Sequence, residues 1–164
     1  MDNILYLNFE IENAEKDRKM PYSFGLHPAF NFPIDKNEKR EDYKLELEKE
    51  ENVFIYDYDL NDFKEIKLKE IPLVKERLEE TIILKGFTSS YVRLYSDKNY
   101  VEVECDNYPY LGFWSYKDAP LICLEPWQGI SDLKENDYDF YHRPGTKLLS
   151  PKGIARYQSY IKIG

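Results

Sequence analysis

Two titratable residues lie in apolar segments that set them apart from the other charged side chains. His27 belongs to an irregular stretch (20–33) with three prolines and four aromatic residues, and Glu125 follows the apolar run 121–124. Apolar surroundings raise the pKa of a carboxyl group toward the range useful for proton transfer. Without a nucleophile or a metal-ligand pattern, this pair favours plain acid–base chemistry. Each residue also has a structural interpretation: a hydrogen-bonded histidine, and a carboxylate paired with an arginine or with loop amides.

Most of the chain is predicted to form strands. Apolar and polar residues alternate with a period of two, which predicts antiparallel strands with one solvated face. The alternation is clearest over 5–11, 43–47, 92–94, 101–105 and 160–163. The run 121–124 predicts a strand buried on both faces, and helical spacing is confined to 73–80. We therefore predict one all-β domain over residues 1–164, an antiparallel β-sandwich.

Composition and charge exclude several classes of protein. The 164 residues suit one domain, and 42% hydrophobic content is enough for a core. The net charge of −8 argues against a nucleic-acid or anionic-membrane partner. No apolar run reaches the roughly 20 residues of a membrane span, and the first residues lack the pattern of a signal peptide. We expect a cytoplasmic protein.

The aromatic residues have both a structural and a functional interpretation, whereas the cysteines and the remaining polar candidates have a structural one. The aromatic content of 16% suits strand formation, and it also suits a sugar site in which flat rings stack on C–H faces. Cys105 and Cys123 lie far apart without a CxxC pattern, so we interpret them as small buried side chains rather than metal ligands. Glu102 is expected on a solvated strand face. His142 lies in a turn-like stretch and receives no role.

Two long motifs carry a family resemblance. Residues 21–31, PYSFGLHPAFN, resemble the PFSxGxHPAFN signature of the aldose 1-epimerase (galactose mutarotase-like) family, in its lactose-operon-associated branch. Residues 110–132 contain YLGFWS, then AP, then CLEPWQGISD, and they resemble YLGxWSK…APFxCxEPWxGxxD of that branch. LSPKG at 149–153 is a looser match to the family's LxPGE.

The resemblance implies a fold and a mechanism. It implies a β-sandwich of the supersandwich type, truncated on its N-terminal side, with a sugar cleft on one sheet. By motif, His27 would donate a proton to the ring oxygen of the sugar, and Glu125 would accept the proton of the anomeric hydroxyl. No metal or organic cofactor is implied. The expected sugar-binding residues are Phe30, Asn31, Trp114 and Trp127, although core packing beside the cleft is as good an interpretation of each aromatic residue.

The resemblance covers about the C-terminal half of a family member. The other half of the family fold carries a further active-site histidine and arginine. We therefore expect a homodimer, or a complex with a separately encoded N-terminal half, that covers an apolar face. The expected substrate is an aldohexose such as galactose or glucose, rather than a phosphosugar, because no arginine lies in either motif. The alternative function is a non-catalytic carbohydrate-binding or regulatory module that retains the sugar cleft.

Overall fold

The computed structural model describes residues 3–59, 61–131 and 139–164. Asp132, the last residue of the second motif, lies outside them. The described residues form the strands β1 (Asn3–Glu12), β2 (Met20–Tyr22), β3 (Ala29–Asn31), β4 (Lys44–Asp57), β5 (Asp62–Ile71), β6 (Ile82–Lys85), β7 (Tyr91–Tyr95), β8 (Tyr100–Glu104), β9 (Tyr110–Trp114), β10 (Leu121–Trp127), β11 (Lys147–Leu149) and β12 (Ile154–Ile163). A 3-10 turn covers Arg40–Asp42, and the helix α1 covers Lys75–Glu80.

Ten of these strands form one sheet. Its order is β1-β12-β8-β7-β4-β6-β9-β10-β3, with β5 also paired to β4, while β2 and β11 form a separate two-stranded sheet. The strand pairs are antiparallel throughout the described residues. This confirms the predicted all-β antiparallel class.

The long strand β4 joins the two layers of the curled sheet. Its first part pairs with β7 through Leu45 and Leu47, and its later part pairs with β6 through Phe54 and Ile55. The β4–β5 pairing shifts register between Glu46 and position 51, and an irregularity of this kind bends a strand. One continuous sheet thereby supplies both faces of a sandwich.

The core lies between these two layers. It contains fully buried side chains from β4 and β7 on one side and from β9 and β10 on the other, among them Leu45, Leu94, Phe113 and Leu124. The helix α1, predicted within 73–80, contributes the buried Leu78. No helix among the described residues combines the length and the apolarity that a bilayer crossing needs.

Candidate functional site

Backbone hydrogen bonds on either side of His27 attach its segment to β10. The N–H of Leu26 donates to the carbonyl of Pro126 (2.9 Å), and the N–H of Leu124 donates to the carbonyl of Pro28 (3.2 Å). His27 lies between these two hydrogen bonds on its own segment, and Glu125 lies between them on β10. These two backbone hydrogen bonds hold the irregular, proline-containing segment against β10.

His27 and Glu125 contact each other directly. The His27 Nε2 and Glu125 Oε2 atoms are 3.2 Å apart, and the Glu125 side chain is 1% exposed whereas that of His27 is 63% exposed. The two atoms are not aligned as a hydrogen bond, and Glu125 Oε2 has no hydrogen-bond partner within the described residues. Burial raises the pKa of Glu125 to about 7, against a smaller opposing effect of the Trp127 side chain.

The β9–β10 register decides which side chains share the face of Glu125. Glu125 lies opposite Gly112, and Cys123 lies opposite Trp114. Since directly opposed residues of an antiparallel pair point to the same side, Trp114 and Cys123 lie on the face of Glu125, as does Trp127 two residues further along β10. Ile122 and Leu124, which alternate with these residues on β10, belong to the hydrophobic core.

These side chains surround a cleft of about 220 Å³. The residues that line it are His27, Thr81, Trp114, Glu125 and Trp127. The edge of the His27 ring faces Trp114, with ring centroids 6.3 Å apart, and Trp114 in turn stacks on Tyr116. A second cavity of about 360 Å³ adjoins it along the His27 segment, with His27 and Trp127 common to both.

The Trp127 indole fits between two glycines. A Cβ at Gly112 would lie 2.5 Å from the Trp127 ring, and a Cβ at Gly25 would lie 2.6 Å from it. Both distances are far shorter than van der Waals contact, so the five-membered ring lies against the bare backbone of Gly25 and the six-membered ring against that of Gly112. This packing gives the cleft a flat aromatic wall next to Glu125.

The structure places the other predicted sugar-binding residues apart from the cleft. Phe30 lies opposite Ile122 and packs against the hydrophobic core. Asn31 lies opposite Leu121, four residues from Glu125 along β10, which corresponds to roughly 13 Å. Asn31 therefore shares the face of Glu125 without lining the cleft, whereas Phe30 lies on the opposite face.

Two residues of the site were missed by the sequence reasoning. Thr81 follows α1 with φ of 71° and lines the cleft, a placement that depends on where the helix ends and that no sequence pattern signals. Cys123 was interpreted as a buried side chain. It is 2% exposed, but its Sγ lies within 4.8 Å of ligand atoms of both His27 and Glu125. Burial and the neighbouring Glu125 raise the pKa of the Cys123 thiol to about 11.

Comparison with known proteins identifies relatives in sequence and in fold. The chromosomal and plasmid forms of protein LacX from Lactococcus lactis subsp. lactis are each 33% identical to this chain over 172 aligned positions. The alignment covers 94% of this chain and 56% of LacX. A galactose mutarotase related enzyme from Lactobacillus acidophilus superposes with a TM-score of 0.82 at 27% identity, over 100% of this chain and 58% of that one. This chain is a LacX homologue with the galactose mutarotase-like fold.

A further solved structure agrees on the fold. A galactose mutarotase-like protein from Lactobacillus casei has a TM-score of 0.78 at 21% identity and covers 97% of this LacX homologue. No protein-family model matches the chain. The chain spans about 56% of the length of the curated relatives that it matches. The resemblance predicted from the two motifs is thereby confirmed, and so is its partial extent.

Proposed function

We propose that this LacX homologue carries the acid–base pair of an aldose 1-epimerase and interconverts the α and β anomers of an aldohexose. The observation that carries the proposal is the contact between His27 Nε2 and the buried Glu125 Oε2, 3.2 Å apart in a cleft walled by Trp114 and Trp127.

The chemistry of ring opening explains why this contact matters. A hemiacetal opens when a base removes the proton of the anomeric hydroxyl and an acid protonates the ring oxygen. Both oxygens are bonded to the same carbon, so the acid and the base must lie close together, each about 2.6–3.2 Å from its own oxygen. Glu125 takes the role of base and His27 that of acid.

The opened aldehyde then rotates about its C1–C2 bond and closes on either face. Closure reverses both proton transfers: His27 recovers its proton from the ring-forming hydroxyl, and Glu125 returns its proton to the carbonyl oxygen. A carboxyl group whose pKa is raised to about 7 is well matched to this work at neutral pH.

The walls of the cleft support a sugar as the substrate class. Aromatic faces such as those of Trp114 and Trp127 stack on the C–H faces of a hexose, while polar groups address its hydroxyls. No arginine lines the cleft within the described part of the chain, which favours a free hexose over its phosphate. The proposal therefore names galactose or glucose as the sugars to test.

We further propose that a partner covers the outer strand β1. Leu5 is 57% exposed and Tyr6 is 60% exposed, and the only strand paired with β1 in the described residues is β12. An unpaired edge with exposed apolar side chains recruits a strand or a surface from another chain. That partner is a second copy of this chain or a separately encoded N-terminal half, either of which would cover these exposed side chains.

Polarimetry of freshly dissolved α-D-galactose and α-D-glucose tests the enzymatic role. The chain is expected to accelerate equilibration of the anomers, and His27→Ala and Glu125→Ala are each expected to remove the acceleration. His142→Ala, which changes the other histidine outside the cleft, is the matched control. Sugar binding without acceleration would contradict the enzymatic role and establish the alternative, a non-catalytic carbohydrate-binding module.

A further inference from the structure

Three side chains with metal-ligating atoms lie close together, and two of them, His27 and Glu125, line the cleft. The His27 ring nitrogen, the Cys123 Sγ and a Glu125 carboxylate oxygen all lie within 4.8 Å of one another. The strand register produces this arrangement, because Cys123 and Glu125 are two residues apart on one face of β10 and the His27 segment is bonded alongside. His27 and Cys123 are 96 positions apart in the sequence, and the packing of the two segments brings them together.

A second observation indicates that this cluster is made to hold a ligand. Glu125 is 1% exposed, and its Oε2 atom, which points toward His27, accepts no hydrogen bond from the described residues. A buried carboxylate oxygen without a donor is costly, and a bound cation removes that cost. Cys123 is a free thiol and is therefore available as a ligand.

The donor set selects the metal. One imidazole nitrogen, one sulfur and one carboxylate oxygen suit a borderline-soft cation such as Zn²⁺, whereas Mg²⁺ and Ca²⁺ require oxygen ligands throughout. Ligand atoms about 2.0–2.3 Å from a tetrahedral Zn²⁺ lie roughly 3.3–3.7 Å from one another. The His27–Glu125 separation of 3.2 Å is already close to this value. The exposed His27 side chain can also shift relative to the two buried ligands of β10.

We propose that His27, Cys123 and Glu125 form a binding site for Zn²⁺ or a similar thiophilic divalent cation, with the fourth position open to the cleft. Binding breaks the Cys123 S–H bond, releases that proton to solvent and forms a metal–sulfur bond. The open position is occupied by water or by an incoming ligand, as in zinc sites with three protein ligands.

The metal and a sugar would compete for the same atoms. A cation on His27 Nε2 and Glu125 Oε2 removes the acid and the base from ring opening, so the occupied site is inactive. This regulatory consequence rests on the proposed function, whereas metal binding itself does not.

Titration of the full chain with Co²⁺, followed by displacement with Zn²⁺, tests the site. We expect one equivalent of Co²⁺ to bind and to produce the near-ultraviolet absorption of a thiolate–cobalt bond, which Zn²⁺ then abolishes. His27→Ala and Cys123→Ser are each expected to weaken Co²⁺ binding by about tenfold or more. Cys105→Ser and His142→Ala change the other cysteine and the other histidine, and both are expected to leave the titration unchanged.

The proposal is overturned if no thiolate absorption develops, if Cys123→Ser retains it, or if either control variant abolishes it. His27 lies at the surface, so His27→Ala is expected to fold even if Cys123→Ser does not. The readout needs no catalytic activity. A chain that binds Co²⁺ through Cys123 but is inactive when assayed free of metal contradicts the epimerase proposal alone. A chain that is active free of metal but develops no thiolate absorption contradicts the metal site alone.

Discussion

The indole of Trp127 lies across the bare backbone of Gly112, so closely that a Cβ at that glycine would be 2.5 Å from the ring. Gly112 is also the residue directly opposite Glu125 on the neighbouring strand. One small residue therefore lets an aromatic wall and a buried carboxylate occupy adjacent places on the same face of the sheet.

This relationship predicts the effect of Gly112→Ala. The added methyl group forces the Trp127 ring to move, which should lower the free energy of unfolding by about 1–3 kcal/mol and weaken sugar binding. Urea denaturation and a sugar titration measure the two effects. In a Trp127→Leu background the shorter side chain no longer meets the new methyl group, so Gly112→Ala should cost much less stability there. Equal losses in the two backgrounds would contradict the packing described here.

The buried carboxyl of Glu125 predicts how stability depends on pH. Its pKa rises from 4.5 to about 7 on folding, so the folded state holds this proton over a range in which the unfolded state has lost it. The resulting contribution to stability is complete below about pH 4.5 and is lost as the pH rises through about 7. Above that range, Glu125→Gln is therefore expected to be more stable than the natural chain by about 3 kcal/mol.

Urea denaturation of the natural chain and of Glu125→Gln at about pH 5 and about pH 9 measures this difference. The exposed Glu65, changed to Gln, serves as the control and should show no comparable gain. A Glu125→Gln variant that gains nothing at the higher pH would show that the carboxylate is better solvated than its burial indicates.

Substitution of Thr81 is expected to change the free energy of unfolding and sugar binding in opposite directions. Its φ of 71° is a backbone conformation that costs a β-branched residue of the order of 1 kcal/mol, and glycine relieves it. Thr81→Gly should therefore raise the free energy of unfolding by about 1 kcal/mol while weakening sugar binding, because the side chain leaves the cleft. Asn107→Gly, at a similar φ of 70° outside the cleft, is the control and should leave sugar binding unchanged. Unchanged sugar binding in Thr81→Gly would exclude Thr81 from the site.

The exposed apolar side chains of the edge strand β1 lead us to expect that the chain forms a homodimer. Sedimentation of the purified chain should show a homodimer, and Leu5→Lys combined with Tyr6→Lys should give a monomer, because the charges oppose pairing at β1. Leu148→Lys introduces a charge at a residue that is 50% exposed on β11 and should leave the dimer intact. A natural chain that sediments as a monomer at micromolar concentration contradicts the homodimer. If a separately supplied N-terminal half then forms a complex with it, the two-piece assembly is supported instead.

The sequence predicted the strands and the central pair of this site for identifiable reasons. Alternation of side chains marks strands wherever one face is wet, as over β1 and β12. The motif around His27 and the motif around Glu125 each resemble the same family. Since the two motifs lie in segments that pack directly against each other, the resemblance alone was enough to predict that these two residues lie close together.

Other features depend on contacts that a local pattern does not contain. Glu102 alternates with apolar residues and was expected to face solvent, but that expectation was wrong: it is buried and accepts hydrogen bonds from Arg93 (2.6 Å) and from the hydroxyl of Tyr160 (3.1 Å). Alternation assigns a residue to a face of the sheet, but it does not show whether other side chains cover that face. The position of the Thr81 side chain in the cleft similarly depends on a long-range contact, because α1, which ends just before Thr81, packs against β9.

The central claim is that His27 and Glu125 act together on one sugar. The most direct test is the rate constant of α-D-galactose anomerisation for the natural chain, for His27→Ala, for Glu125→Gln and for the double variant. An acid and a base that serve the same transition state act as a unit, so each single change should cost about 10²-fold or more and the double change little beyond that. Independent, multiplicative losses, or single variants as fast as the natural chain, would contradict the claim.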